Sequence, residues 1–526
     1  MTNIRAFFSL LRALFVLMRE GVITALPDEG APPPIVFAKF ISKFIRRRRA
    51  KDVAQSKILG DALSRLGPSW VKLGQFLATR PDVVGDSIAH DLELLQDRMD
   101  PYPVEEARAI VEATLAAKID DLYVEFGPAV AAASIAQVHK AKVRDEDGTL
   151  HDVAVKIIRP GVRERFAWDL KTFYFAARTL DRMFPALDRL QLISIVDVLA
   201  DSAKLEMELR MEAAGFSEMA ENTKDDEGFR LPKIDWARSG RDCITMEWVD
   251  GIKMSNMEAL RTSGHDLKKI ANTLNQSFLS HSIRDGFFHA DMHPGNLFVA
   301  ENGDIVAVDM GITGRLNKAE RRFLAEILYG FIQRDYRRVA EVHIEAGYVP
   351  ADKDVDSFAQ ALRAVGEPIY GKPADQISMA SLLTLLFEIT DLFEMKTQPQ
   401  LILLQKTMVV VEGVARKLDP QFNMWESGGP IVTPVVTRFV GPLGRIDETV
   451  DGLKAASQLM RLAPGMAKRA EALSHEIDVM AREGVRLDTP TIAAIGKAEA
   501  RHSRSGRVAL WVIAVSVAAL AWKQFL

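Results

Sequence analysis

His289-Ala290-Asp291-Met292-His293-Pro294-Gly295-Asn296 is the stretch on which the reading of the fold turns. Phosphoryl transfer needs a carboxylate that orients or deprotonates the acceptor and, close by, an amide oxygen that can ligate magnesium; D-x-x-x-x-N on one loop supplies both. Asp291 is the candidate catalytic carboxylate and Asn296 the candidate metal ligand. Pro294 and Gly295 break any helix here, so His289 and His293 do not form the i, i+4 zinc pair of a metalloprotease.

Thirteen residues beyond Asn296 comes Asp309-Met310-Gly311, where an acid at the end of an apolar strand, followed by glycine, can ligate magnesium between phosphates. Met310 stands where kinases usually carry phenylalanine. Upstream, Val153-Ala154-Val155-Lys156 ends an apolar strand in a lysine, which is costly to bury unless its ammonium meets phosphate or a carboxylate. Glu212, on the helical stretch 190–216, is the candidate partner. Met246-Glu247-Trp248-Val249-Asp250-Gly251 reads as a hinge, with backbone groups at Glu247 and Val249 placed for adenine; taken alone it is a strand and a turn.

Apolar periodicity predicts helices over 59–95, 104–123, 190–216, 270–285, most of 318–417 and 466–483. Strands are predicted over 138–143, 153–158, 243–249, 297–299 and 305–308, with turns at Asp147-Gly148 and Asn302-Gly303. A small β-rich lobe before a large helical lobe gives an α+β, atypical protein-kinase-like two-lobed fold with a helical N-terminal extension and a C-terminal transmembrane tail. The divisions are 1–55 basic and amphipathic, 56–125 helical extension, 126–250 N-lobe, 251–425 C-lobe, 426–506 helical, and 507–526 anchor. No A-P-E follows Gly311 before the helical pattern near Lys318, and His289-Ala290-Asp291 lacks the arginine that pairs with a phosphorylated loop. Both omissions argue against a peptide-docking platform and against control by loop phosphorylation.

The chain has 526 residues, 48% of them hydrophobic, and a net charge of -4, so the whole molecule is no polyanion binder. Its charge is asymmetric at the ends. Up to Lys51, ten basic residues face three acidic ones, ending in Arg46-Arg47-Arg48-Arg49, and Arg501, Arg504 and Arg507 cluster near the C-terminus. Basic runs beside apolar segments suit anionic headgroups rather than nucleic acid. Phe7, Phe8, Leu10, Leu11, Leu14, Phe15 and Leu17 with Arg5, Arg12 and Arg19 describe a surface helix, lying either on a membrane or on the protein's own core. Fifteen uncharged residues at 508–522, between Arg507 and Lys523, predict a tail anchor with the body cytoplasmic. Cys243 is the single cysteine, which excludes an intrachain disulfide and fits ordinary strand packing.

Across 56–420 the chain resembles the UbiB family of atypical kinases, which support ubiquinone biosynthesis. Lys72-Leu73-Gly74-Gln75 matches the family's K-x-G-Q motif, and Glu206-Met207-Glu208 stands where the family has E-x-D. The resemblance pairs Glu206 with Lys72. Ala131-Ala132-Ala133-Ser134-Ile135-Ala136-Gln137-Val138-His139 matches the alanine-rich nucleotide loop, and Val130 through Val138 are the implied nucleotide contacts. Methyl groups on Ala131, Ala132 and Ala133 restrict how closely backbone N–H groups approach phosphate.

The resemblance implies ATP with Mg2+, catalysis by Lys156, Glu212 and Asp291, metal ligation by Asn296 and Asp309, and turnover stimulated by lipid or a phenolic quinone precursor. Expected partners are anionic lipids of a bacterial-type inner membrane, isoprenoid quinone precursors or other ubiquinone-biosynthesis proteins, with no nucleic acid and room for a homodimer. One alternative is a small-molecule phosphotransferase of aminoglycoside or choline-kinase type, against which K-x-G-Q and the tail argue. The other is a non-catalytic lipid-binding scaffold, disfavoured by the retained Lys156, Asp291, Asn296 and Asp309. Direct ring hydroxylation has no support: the chain carries neither a G-x-G-x-x-G loop nor a histidine-carboxylate iron set.

Overall fold

Alternation of apolar and polar residues writes the N-terminal sheet, and in a computed structural model its strands pair into one antiparallel layer. The structure describes residues 2–25, 55–78, 99–183, 192–367 and 399–440, with short stretches within 39–45, 84–92 and 389–395. The longer helices described before the sheet are α1 (Thr2–Glu20), α2 (Gln55–Leu66), α3 (Pro68–Ala78) and α4 (Val104–Leu115). Then β1 (Glu125–Ala132), β2 (Ala136–Arg144) and β3 (Leu150–Ile158) form a meander. Pro128 has no N–H to give the ladder, and the β1–β2 register slips on both sides of Ala129.

Next come α5 (Val162–Met183), α6 (Leu192–Glu206), α7 (Leu209–Asn222), β4 (Phe229–Arg230), β5 (Ile234–Asp235) and β6 (Cys243–Glu247). The N-terminal sheet runs β1-β2-β3-β6-β5. One of its faces packs Phe126, Val143, Val155, Ile157 and Cys243 against Val111 of α4. Burial pushes the Cys243 thiol up to about 12, which leaves it an inert packing residue.

The C-terminal half holds β7 (Ile252–Lys253), α8 (Leu267–Leu279), β8 (Phe287–His289), β9 (Leu297–Val299), β10 (Ile305–Ala307) and β11 (Thr313–Arg315). Its strands make a β4-β10-β9-β7 sheet and a β8–β11 pair. Helices α9 (Lys318–Gln333), α10 (Tyr336–Glu345), α11 (Val355–Gly366), α12 (Pro399–Leu418) and α13 (Met424–Val440) follow. Phe278 of α8 and Phe288 of β8 meet edge to face at 6.1 Å in the main core. An Asn317–Glu320 capping box starts α9 directly after β11, so the Asp309 segment is short, as expected.

Four predicted helices are broken, that over 104–123 at Ala116, whose φ of 53° ends α4 before a short turn of helix at Ile119–Leu122. The 59–95 stretch stops at Gly67, whose φ is 114°, and restarts at Pro68. Arg165 donates to Leu66 O at 2.8 Å, and its guanidinium fills the space where a Cβ on Gly67 would stand. The 190–216 stretch divides at Met207 and Glu208, because Leu209 N takes Arg241 O at 3.1 Å and Arg163 takes Met207 O. Tertiary partners there replace the bonds of a continuous helix. The 270–285 stretch ends as a π-helical turn, Ser280–Asp285, closed at Gly286 with φ 70°, where a Cβ would lie 2.5 Å from Leu316 O. Two long helices, α5 and α6, also separate Lys156 from α7, so Glu212 does not lie on the first helix after its strand.

Helix α1 settles on the body through Ala6, Ala13 and Glu20, while Phe7, Phe8, Leu11, Leu14 and Phe15 stay exposed. Glu20 meets Arg65 of α2 at 3.2 Å. Its small residues face inward and its large apolar residues outward. Among the described residues no helix is long and apolar enough to cross a membrane; the 507–526 tail and the 466–483 helix lie outside the described residues.

Candidate active site

The pleat of β3 decides where Lys156 goes. Val153, Val155 and Ile157 are buried on one face, so Lys156 turns to the other. There its Nζ donates to Glu212 Oε1 at 2.6 Å and to Asp309 Oδ2 at 3.0 Å. Glu212 sits in the first turn of α7, where the helix dipole favours a negative charge, and its Oε1 also accepts from Met310 N at 3.4 Å. Met310 is buried beside Gly215 of the same helix, doing the packing of the usual phenylalanine.

Burial opposes the charge on Lys156, but the carboxylates of Asp309 and Glu212 outweigh it and its pKa is raised. Burial also works to raise Asp309, yet the Lys156 charge and the Gly311 N–H, 2.8 Å from Oδ1, bring it down to about 2. Glu212 goes the other way, because burial dominates over Lys156. One ammonium against two carboxylates leaves negative charge in excess, and Asp309 carries it.

The catalytic loop leaves β8, whose three residues are all buried. Asp291 N donates to His289 Nδ1 at 3.2 Å, and burial lowers the pKa of that ring, which keeps it neutral. Asn296 Nδ2 donates to both the carbonyl and Oδ2 of Asp291 at 3.2 Å, which turns its amide oxygen outward from that pair. Val308 N donates to Asn296 O at 2.9 Å, tying the loop to Asp309, and Thr407 of α12 donates to Ala290 O at 2.9 Å from behind. The oxygen donors of Asn296 and Asp309 suit magnesium. Among the described residues no group of three or more His, Cys, Asp or Glu could hold a metal, so magnesium here would take its other ligands from phosphate and water.

The alanine-rich segment is the end of β1, a turn and the start of β2. Val130 and Ala131 are exposed and Ala132, Ala133 and Val138 partly buried, but Ser134, Ile135, Ala136 and Gln137 face inward. Gln137, expected at the nucleotide, instead accepts from Tyr102 N at 3.0 Å and bonds His139 Nε2 at 2.8 Å. The strand's alternation buries it. Arg159 holds the turn from below: its Nε donates to Ala133 O at 2.7 Å, its Nη2 to Asp100 O at 2.8 Å and its backbone N to Ile135 O at 2.7 Å. Arg159 and Tyr102 were not singled out in the sequence. Pro101-Tyr102-Pro103, a rigid extended tripeptide, was the available signal.

At the hinge, Glu247 N donates to Lys233 O at 2.8 Å and the Glu247 carboxylate takes Arg230 at 2.9 Å. Adenine could therefore use Glu247 only through its carbonyl, with Val249 beyond it. In the extension, Lys72 of α3 is buried and ion-paired with Glu206 at the end of α6. Gln75 is partly buried and makes no hydrogen bond to a described residue. Glu208 stands at the N-cap position of α7 without a side-chain cap bond, and its carboxylate turns to Arg210 at 2.7 Å and Arg241 at 3.7 Å.

Comparison with known proteins covers most of this geometry. The ABC1 atypical kinase-like domain matches residues 94–343, and the UbiB helical domain matches 362–423. A relative from Histophilus somni named "Probable protein kinase UbiB" is 36% identical over 446 residues, covering 84% of this chain and 81% of that one. Relatives of the same name from Aeromonas hydrophila and Vibrio parahaemolyticus are 37% and 35% identical, over 83% and 88% of this chain and 80% and 86% of theirs. Among solved structures, the Rv3197–erythromycin complex from Mycobacterium tuberculosis is 22% identical with a TM-score of 0.49, covering 74% of this chain and all of that one.

Proposed function

The chain belongs to the UbiB family of atypical kinases, and from that premise we propose that it binds ATP with Mg2+ and transfers the γ-phosphoryl, to water or a membrane-borne acceptor, in support of ubiquinone biosynthesis. The observation that carries this reading is the cluster of Lys156, Glu212 and Asp309, joined to Asp291 and Asn296 through the Val308–Asn296 bond. Lys156 would hold phosphate oxygens, with Glu212 keeping its ammonium in place. Asp309 and Asn296 would hold magnesium. Asp291, positioned by Asn296 and by neutral His289, would orient the acceptor and take its proton. The bonds from Arg159, Met99 and Tyr102 around the alanine turn favour a stiff lid over the phosphates.

Anionic lipid is the proposed partner at the N-terminus. Exposed Phe7, Phe8, Leu11, Leu14 and Phe15, with exposed Arg5, Arg12 and Arg19 on the same helix, supply the apolar area and charge of an interfacial helix. The 507–526 segment would add a tail anchor, with Arg501, Arg504 and Arg507 keeping the body cytoplasmic.

Asp291→Asn tests the chemistry. ATP hydrolysis on anionic liposomes should fall by about 10²- to 10⁴-fold, nucleotide binding should persist, and cells carrying only this variant should lose ubiquinone. Unchanged hydrolysis and unchanged quinone together would sink the reading. A Phe8→Glu, Leu11→Glu double variant of the tail-deleted protein should fail to float with anionic vesicles; flotation equal to that of the parent would remove α1 from the membrane.

A further inference from the structure

A cavity of about 240 Å³ lies behind the catalytic loop, lined by Met254, Ser255, Met257, His293, Pro294, Val414 and Lys417. None of the roles assigned above uses it. Its walls come from three places, and each wall is tied to the loop that carries Asp291. His293 and Pro294 belong to that loop. Met254 N donates to Leu297 O at 2.9 Å and Ser255 N to Pro294 O at 3.0 Å. Val414 and Lys417 come from α12, whose Thr407 holds Ala290 O.

The lining defines what would fit. Met254 and Val414 are buried, Met257 and Pro294 half-buried, so most of the wall is apolar, and the two methionines can adapt to an irregular guest. Three exposed polar residues line it, Ser255, His293 and Lys417, and the last two can meet an anion. Glu412 pairs with Arg416, while Lys417 is exposed and makes no ion pair with a described residue. His293 accepts from Gly295 N through Nδ1, which leaves Nε2 as the donor edge of the exposed ring. A mostly apolar pocket with a few convergent polar groups is the usual form of a small-molecule site.

We propose that this cavity binds a small amphipathic anion, an apolar body bearing one carboxylate that meets Lys417 and His293. Because the guest would touch His293 and Pro294, on the loop that carries Asp291 and Asn296, its occupancy is coupled to nucleotide binding. The site rests on the phosphoryl-transfer reading only for that coupling.

Titration calorimetry of the full-length protein with 4-butylbenzoate tests it, with the neutral methyl ester as control. The wild type should bind the acid saturably and the ester about tenfold more weakly. Lys417→Ala should cost about tenfold, and Met257→Trp or Val414→Phe, which fill the cavity, should abolish binding while leaving ATP affinity measurable as proof of folding. Saturating ATP-Mg should shift the affinity for the acid at least about threefold, with the reciprocal shift in ATP affinity. Absence of saturable binding, or binding indifferent to Lys417→Ala and to both filling variants, would overturn the site. Equal affinity for acid and ester would overturn the anion class, and no mutual shift with ATP would overturn the coupling. Asp291→Asn should keep 4-butylbenzoate binding whatever it does to turnover, so failure of the site and failure of the chemistry give different results.

Discussion

Two lysines of this protein are drawn into ion pairs with glutamates of α6 and α7, and the pairs differ in one respect that matters. Lys72 meets Glu206, with side-chain exposures of 9% and 21%, and joins two helices of the extension and the N-lobe. Lys156, at 15% exposure, meets Glu212 and also Asp309, and the cluster carries surplus negative charge. The pair between α3 and the end of α6 is a strut that holds the extension against the N-lobe. In the proposed mechanism the Lys156 cluster takes up a cation, and its carboxylates are already split, Glu212 raised and Asp309 lowered to about 2.

The contrast breaks most sharply at Lys156. Lys156→Met leaves buried Glu212 and part-exposed Asp309 without their ammonium and should cost about 3–4 kcal/mol, measured by denaturant melts; a cost under about 1 kcal/mol would mean that the carboxylates were never dependent on it. Asp309→Asn should remove magnesium-dependent nucleotide affinity by about a hundredfold or more, yet leave stability unchanged or raised, since it discharges the surplus. A melting temperature that falls with Asp309→Asn would show that the cluster is balanced after all.

Lys72→Met should cost less, about 1.5–3 kcal/mol, because Glu206 retains some access to water. It should alter ATP turnover while magnesium affinity stays within about twofold. A large loss of magnesium affinity in that variant would merge the two pairs into one site. The smallest effect is one of pH. His139, His289 and His343 are all lowered by burial, so between their folded values and the ordinary value near 6.5 the unfolded chain binds more protons. Stability should therefore fall as pH drops below about 6.5, by up to about 1.4 kcal/mol per unit for each ring that stays neutral. His343→Gln should flatten the slope seen in thermal melts from pH 7.5 to 5, while Lys72→Met should leave it unchanged.

Much of this was legible without coordinates. D-x-x-x-x-N, Asp309-Met310-Gly311 and Val-Ala-Val-Lys are local patterns, each requiring a particular loop or strand end, and their order limited the fold to a kinase-like one. The hairpin at Asp147-Gly148 and the start of α9 were equally local. Strand β1 was not read, because Pro128 and the alanines that follow dilute its alternation. The break before α7 was hidden for a different reason: residues 190–216 are periodic throughout, and only Arg241 and Arg163, distant in sequence, take the backbone groups that divide them.

Sequence by itself determined which side chains are the candidates for the chemistry, because metal, phosphate and acceptor each demand a residue type at a fixed local spacing. Tertiary structure decided how they are used. It gave Lys156 two carboxylates and paired Lys72 with Glu206, tied Gln137 to Tyr102 and His139 and Glu208 to Arg210 and Arg241, put Arg159 under the alanine turn, and set the large residues of α1 outward. Those outcomes depend on which distant groups compete for each charge and each backbone bond, and that competition exists only once the chain has folded.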